Sequence, residues 1–187
     1  MEQSGSSLPV QFAALGFLCE RPLHGYELAQ SIERGLGALW RVATSQLYAV
    51  LHRLEASGLA TSRTEEVDAR PARTVYDITR QGEAALEQWL REPVAHLRDM
   101  RVEFLAKIYF LRRRSSERVD DLINAQMGLL REAESGVRSR DGVQSDDRGF
   151  GALVASFRQH RMESMVTWLE AERDRLKQGA TGSAVDE

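Results

Sequence analysis

The chain of 187 residues has one cysteine, Cys19. A single thiol closes no internal disulfide and builds no cysteine zinc site without partners. Cys19 lies in an apolar run and reads as a small buried hydrophobe. The four histidines, His24, His52, His96 and His160, are far apart, and none stands at the three- or four-residue spacing of helix-borne metal ligands. No metal and no cofactor is expected. No stretch approaches the roughly 20 uninterrupted apolar residues of a membrane span. Met1 to Ser7 lack the basic region and apolar run of a secretory signal. A cytoplasmic protein without membrane contact follows as the expectation. Neither an acid/base pair nor a nucleophile with its base can be found, so an enzyme is not expected. There is no internal repeat. Positive charge is not in excess either: 25 Lys and Arg stand against 28 Asp and Glu, for a net charge of −3. That balance counts against a nonspecific nucleic-acid coat. It leaves a sequence reader possible, because affinity depends on charge at the contact face.

Apolar residues make up 42% of the chain, enough to bury a real core. Residues 8 to 19, LPVQFAALGFLC, are apolar almost all round, and a helix of that kind must be sandwiched. Pro9 suits a first helical turn. His24-Gly25-Tyr26-Glu27-Leu28 opens a second helix with a stripe of Leu28, Ile32 and Leu36, ending near Gly35 and Gly37. Trp40 reads as a core anchor in the connection that follows, and Tyr26 and Tyr76 read as core packing.

Thr44 to Gly58 is the most telling segment. Leu47, Leu51 and Leu54 form one apolar stripe at i, i+4, i+7. At about 100° per residue, Ser45, Ala49 and His52 point away from it, with Tyr48 and Arg53 on the flanks. That outer face carries no acid until Glu55. Gly58 suits the residue just past a helix end. Leu59 to Val67 and Thr74 to Ile78 read as paired strands, with Arg70-Pro71-Ala72-Arg73 at the turn. Thr79 can cap the next helix through its hydroxyl, Leu86, Trp89 and Leu90 stripe it, and Pro93 stops it. A helix with one polar face followed by a basic hairpin is the winged helix-turn-helix layout. Between Arg41 and Arg80, six arginines face five acids, an excess of one. A dimer that doubles so small a patch is easier to credit than a monomer.

From Arg98 onward no strand pattern recurs. Val102, Leu105, Ile108 and Tyr109 stripe one helix, which ends in Arg112-Arg113-Arg114, cations suited to its negative end. Val119, Leu122, Ile123, Gln126, Leu129, Leu130 and Ala133 stripe another. Ser139 to Gly151 reads as a loop, and a last helix from about Ala152 to Lys177 places Leu153, Phe157, Met165, Trp168, Leu169 and Leu176 toward one side. The tail from Gly179 reads as frayed. The expected fold is mainly α: a winged helix-turn-helix domain with a two-stranded wing over 8–94, then an all-helical dimerisation domain over 95–178. Helices with such stripes commonly bury them against a symmetry mate.

These motifs resemble the PadR family of transcriptional regulators. Three segments carry the resemblance: His24-Gly25-Tyr26-Glu27-Leu28, then Leu47-Tyr48-Ala49-Val50-Leu51-His52-Arg53-Leu54-Glu55-Ala56-Ser57-Gly58-Leu59, then Arg70-Pro71-Ala72-Arg73-Thr74-Val75-Tyr76-Asp77-Ile78-Thr79-Arg80-Gln81-Gly82. Trp89-Leu90-Arg91-Glu92-Pro93 and the helix from Arg98 through Lys107 resemble the family's longer branch, with a helical C-terminal domain similar to that of virulence activators. The resemblance implies a homodimer joined through C-terminal helices. It implies a repressor that binds double-stranded DNA at a pseudo-palindromic operator and responds to a ligand such as a phenolic acid or hydrophobic drug. Thr44, Ser45, Tyr48, His52 and Arg53 are then the residues expected on the major groove, with Ser45 and the Tyr48 hydroxyl on phosphates and His52 and Arg53 toward base edges. Arg70 and Arg73 are expected on phosphate or in the minor groove, with Arg63 supporting them from the strand against the field of Glu65, Glu66 and Asp68. Trp89 is a candidate for stacking on an aromatic effector, its alternative being packing in a dimer core. Trp168 carries the same pair of readings. The rival function is a winged-helix module that binds a protein and not DNA.

Overall fold

The computed structural model describes residues 8–65, 73–140 and 149–182. Its elements run α1 (Leu8–Leu18), β1 (Leu23–His24), α2 (Gly25–Leu36), α3 (Thr44–Ala56), β2 (Ala60–Glu65), β3 (Arg73–Ile78), α4 (Arg80–Arg91), a 3-10 turn (Leu97–Arg101), α5 (Glu103–Arg112), α6 (Ser116–Arg140) and α7 (Phe150–Gly182). Contacts divide the chain into two units: Met1–Arg91 with Arg98–Arg113, and Glu92–Leu97 with Arg114–Glu187. The expected boundary near residue 95 is a single cut. By contacts, α5 belongs with the first unit and the short segment after α4 belongs with the second.

In the first unit α1 is the hub. Val10, Ala13, Ala14, Leu15, Phe17 and Leu18 are all buried, and α1 packs against α2, α3, α4, α5 and β3. A helix apolar on every side has no other stable place. Helix α3 buries Leu47, Val50, Leu51 and Leu54, so the expected leucine stripe is the one that faces inward, with Val50 added. Gly58 follows at φ 72°, a left-handed conformation that glycine adopts without a Cβ clash. Thr79 caps α4: its Oγ1 accepts from the Gly82 amide at 3.1 Å and donates to the Gly58 carbonyl at 2.6 Å.

The sheet has three antiparallel strands in the order β1-β3-β2, one more than the expected two. Leu23 pairs with Tyr76 and His24 with Val75. On the other side of β3, Ser62 pairs with Tyr76, Thr64 with Thr74 and Glu65 with Arg73. A two-residue strand shows no alternation in the sequence, so nothing but the fold announces β1.

Three expectations about burial need correction. Tyr26 is 68% exposed rather than core. Helix α5 buries Phe104, Ala106, Lys107, Phe110 and Leu111, not the stripe of Val102, Leu105, Ile108 and Tyr109. That helix is apolar on several sides, and periodicity alone could not choose its inner face. On α7, Leu153 and Phe157 are exposed, while Met162 and Leu169 are buried.

The second unit is built on α6 packed along α7. Val119, Leu122, Ile123, Met127 and Leu130 are buried on α6. Gln126 is fully buried and clamps the segment after α4: its Oε1 accepts from the Val94 amide at 2.7 Å and its Nε2 donates to the Val94 carbonyl at 3.1 Å. Both backbone groups are thereby satisfied, as buried polar groups must be. Arg131 pairs with Glu170 at 2.7 Å across α6 and α7. Among the described residues, no helix is long and apolar enough to cross a membrane, and no group of three or more His, Cys, Asp or Glu could hold a metal ion.

Candidate nucleic-acid interface

Helix α3 turns its polar side outward. Thr44, Ser45, Tyr48, Ala49, His52 and Arg53 are exposed, with the buried stripe on the opposite side. This separation follows directly from a period of 3.6 residues. The tyrosine is held in position by an absence. A Cβ on Gly25 would lie 2.8 Å from Tyr48 Cε1 and Oη, so only glycine at the start of α2 lets the Tyr48 ring settle there.

Tyr48 shares a cavity of about 500 Å³ with His24, Gly25, Tyr26, Glu27, Arg73, Thr74 and Tyr76. The start of α2, the side of α3 and the wing strand β3 thus meet around one concave surface. Of the residues singled out in the sequence, Tyr48 and Arg73 are brought together here. Thr44, Ser45, His52 and Arg53 line up along the exposed face of α3. Arg70 lies outside the described residues.

The wing carries acids as well as arginines. Arg63 donates from Nε and Nη2 to Glu65 Oε1, both at 3.2 Å, and Glu65 stands opposite Arg73 in the strand register. Glu65 Oε2 also lies 4.0 Å from His24 Nε2. On its other nitrogen, His24 Nδ1 is 3.4 Å from the Thr74 carbonyl. From β1, on the outer side of β3, the His24 side chain therefore approaches residues of both wing strands at the root of α2. Ser62 donates to Glu55 at 2.5 Å, fastening β2 to the end of α3. Behind this surface, burial raises the pKa of the Tyr76 phenol, with the charges of Glu55 and Tyr48 adding to the effect.

Trp89 is not on this surface. It is buried within the first unit, stacked on Phe12 at 4.7 Å between ring centroids and 8° between planes. Its indole N–H donates to Glu103 Oε1 at 2.9 Å, and Lys107 Nζ, itself buried, pairs with the same oxygen at 3.1 Å and sits 4.9 Å from the ring centroid. Arg113, from the Arg112–Arg114 run, is engaged by Glu20 at 2.8 Å.

Reasoning from the sequence did not place His24 and Tyr26 at this surface. A signal for Tyr26 was available. It precedes Leu28 by two residues, which puts it about 120° around α2 from the centre of the buried stripe. Its aromatic character outweighed that geometry. His24 gave no such signal.

The PadR-like family of transcriptional regulators matches residues 14–88. Transcriptional regulator Rv3488 of Mycobacterium tuberculosis is 40% identical over 79 residues, spanning 42% of this chain and 70% of that protein. The chain belongs to the PadR-like family of transcriptional regulators. The negative transcriptional regulator PadR of Bacillus subtilis is 27% identical over 173 residues, 87% of this chain and 94% of that protein, so family likeness extends into the helical second unit. A crystal structure of Bacillus subtilis PadR in complex with operator DNA is similar at 25% identity, covering 89% of this chain and 98% of that one, with a TM-score of 0.45. Within this family member, the matched segment runs from α1 into α4 and includes the whole exposed face of α3.

Proposed function

We propose that this PadR-like regulator is a repressor that binds a pseudo-palindromic DNA operator as a homodimer and releases it in response to a small aromatic ligand. Residues 8–94 read DNA and residues 95–178 dimerise. Thr44, Ser45, Tyr48, His52 and Arg53 enter the major groove, while Arg70 and Arg73 contact the backbone or minor groove. Arg63, held by Glu65, supports the wing. The single observation that carries this reading is the acid-free outer face of α3 meeting Arg73 of the wing around one concave surface, in a chain of this family. Half-sites then lie about one helical turn apart, roughly 34 Å or a multiple. Dimerisation is supported by the exposed apolar residues of α7, Phe150, Leu153, Phe157 and Trp168. The ligand acts by favouring a protomer arrangement that no longer matches the half-site spacing. Trp89 is the effector contact in this reading, and an aromatic ligand stacking on it has to displace Phe12. The protein works in the cytoplasm and is not an enzyme.

The test is footprinting on the DNA upstream of its own gene, followed by affinity measured across a salt series. A twofold protected site and a steep loss of affinity with salt are expected, because each phosphate contact releases counterions. Arg73→Ala should weaken binding to every duplex and flatten the slope. An unchanged slope removes the wing from the contact. One observation favours a second reading: Glu65 neutralises Arg63 and stands opposite Arg73, which suits a protein-binding winged helix. No duplex binding at low salt would favour that reading.

A further inference from the structure

We propose that Tyr26 and Gln30 of α2 form, with Tyr48 and Arg73, a clamp for one phosphodiester group of the DNA backbone. The proposal rests on the DNA-binding reading above and adds α2 to the contact. Tyr26 is 68% exposed, the most of any large hydrophobic among the described residues, so packing against them leaves its ring largely uncovered. Its hydroxyl is nevertheless oriented: Gln30 Nε2 donates to Tyr26 Oη at 2.8 Å. With a lone pair engaged by the amide, the phenol presents its proton to an outside acceptor.

Tyr26 lines the same cavity as Tyr48, Arg73 and Thr74. The His24 amide already donates to Glu27 Oε2 at 3.1 Å. Glu27 also lines the cavity, and its carboxylate disfavours a highly charged anion. A singly charged phosphodiester held chiefly by hydroxyl donors suits that balance better than a free phosphate dianion. In helix-turn-helix docking, the helix before the reading helix crosses the DNA backbone, which brings a phosphate to this position.

The test uses the full-length protein and two fluorescein-labelled 30-base-pair duplexes, one carrying the footprinted site and one scrambled. Tyr26→Phe deletes only the hydroxyl. It should weaken binding to both duplexes by roughly fivefold per dimer, with the wild-type salt slope retained because no cation is removed. Gln30→Leu should give a smaller loss in the same direction. Arg73→Ala supplies the contrast, a flattened slope. Wild-type affinity of Tyr26→Phe for both duplexes overturns the clamp while leaving DNA binding intact. A loss confined to the site-bearing duplex reassigns Tyr26 to base reading and also overturns it. So does a fall of several degrees in the melting temperature of Tyr26→Phe, which would make the hydroxyl structural. Failure of the wild type to bind either duplex removes the DNA-binding reading and the clamp with it.

Discussion

The two units treat their apolar residues differently. The first wraps five elements around α1 and, among the described residues, leaves only Tyr26 and Tyr48 as large exposed hydrophobics, both bordering the cavity beside the wing. The second pairs two long helices and leaves Phe150, Leu153, Phe157 and Trp168 exposed along α7. Among the described residues, then, the first unit exposes aromatic groups that carry a hydroxyl, and the second exposes groups that are largely or wholly apolar. Exposed phenols suit a polar, hydrogen-bonding partner, whereas an apolar row suits a partner like itself. The contrast teaches where each kind of recognition resides.

The strongest way to break the comparison is to disturb the core of the first unit. Glu103→Ala takes the carboxylate from buried Lys107 and from the Trp89 indole together. It should cost about 3–5 kcal/mol in chemical denaturation. Lys107→Met should cost less, because the Glu103 carboxylate keeps the Trp89 N–H and a share of solvent whereas a lone buried ammonium keeps neither. If both variants cost the same, the pair is not what organises that core.

Phe157→Glu attacks the other side of the contrast. It should leave the first unit folded and weaken self-association by roughly a hundredfold, as removal of an interface anchor does. Sedimentation velocity over a concentration series reads this, and an unshifted dimer population would show that α7 is not the interface. Gly25→Ala pushes against the end of the exposed Tyr48 ring, which can swing aside, and should cost at most about 1 kcal/mol. Its affinity for DNA should fall further than its stability predicts, because Tyr48 is displaced from the α3 face. Equal losses in both would confine Gly25 to a packing role.

The smallest effect concerns Tyr76. Its folded pKa lies above the ordinary phenol value, mainly through burial. The unfolded chain therefore ionises first, and stability is retained below the unfolded phenol pKa and lost as pH rises through the folded one. Tyr76→Phe should flatten the alkaline decline of the unfolding free energy. An identical decline in both proteins would assign alkaline sensitivity to other groups.

Legibility followed the physics of each element. The α3 stripe was readable because leucines and polar residues alternate at one period, and the Thr79 cap because a hydroxyl before a helix has few other uses. Tyr26 was misplaced because residue type was weighed above position. Lys107 gave no sign of burial: Glu103 one turn before it on α5 reads as an ordinary surface ion-pair partner, and the Trp89 ring that covers it comes from α4. Leu153 and Phe157 were misplaced because periodicity marks a stripe without saying what covers it, and the described residues leave both exposed.

The two residues of β1 have a mechanical consequence. By pairing Leu23 and His24 with Tyr76 and Val75, they convert a free hairpin into a cantilever clamped at its base. A load applied to the tip is then borne by α2 instead of being dissipated as hairpin flexure. Stiffness at that joint, more than charge at the tip, decides how faithfully a push on the wing is relayed inward.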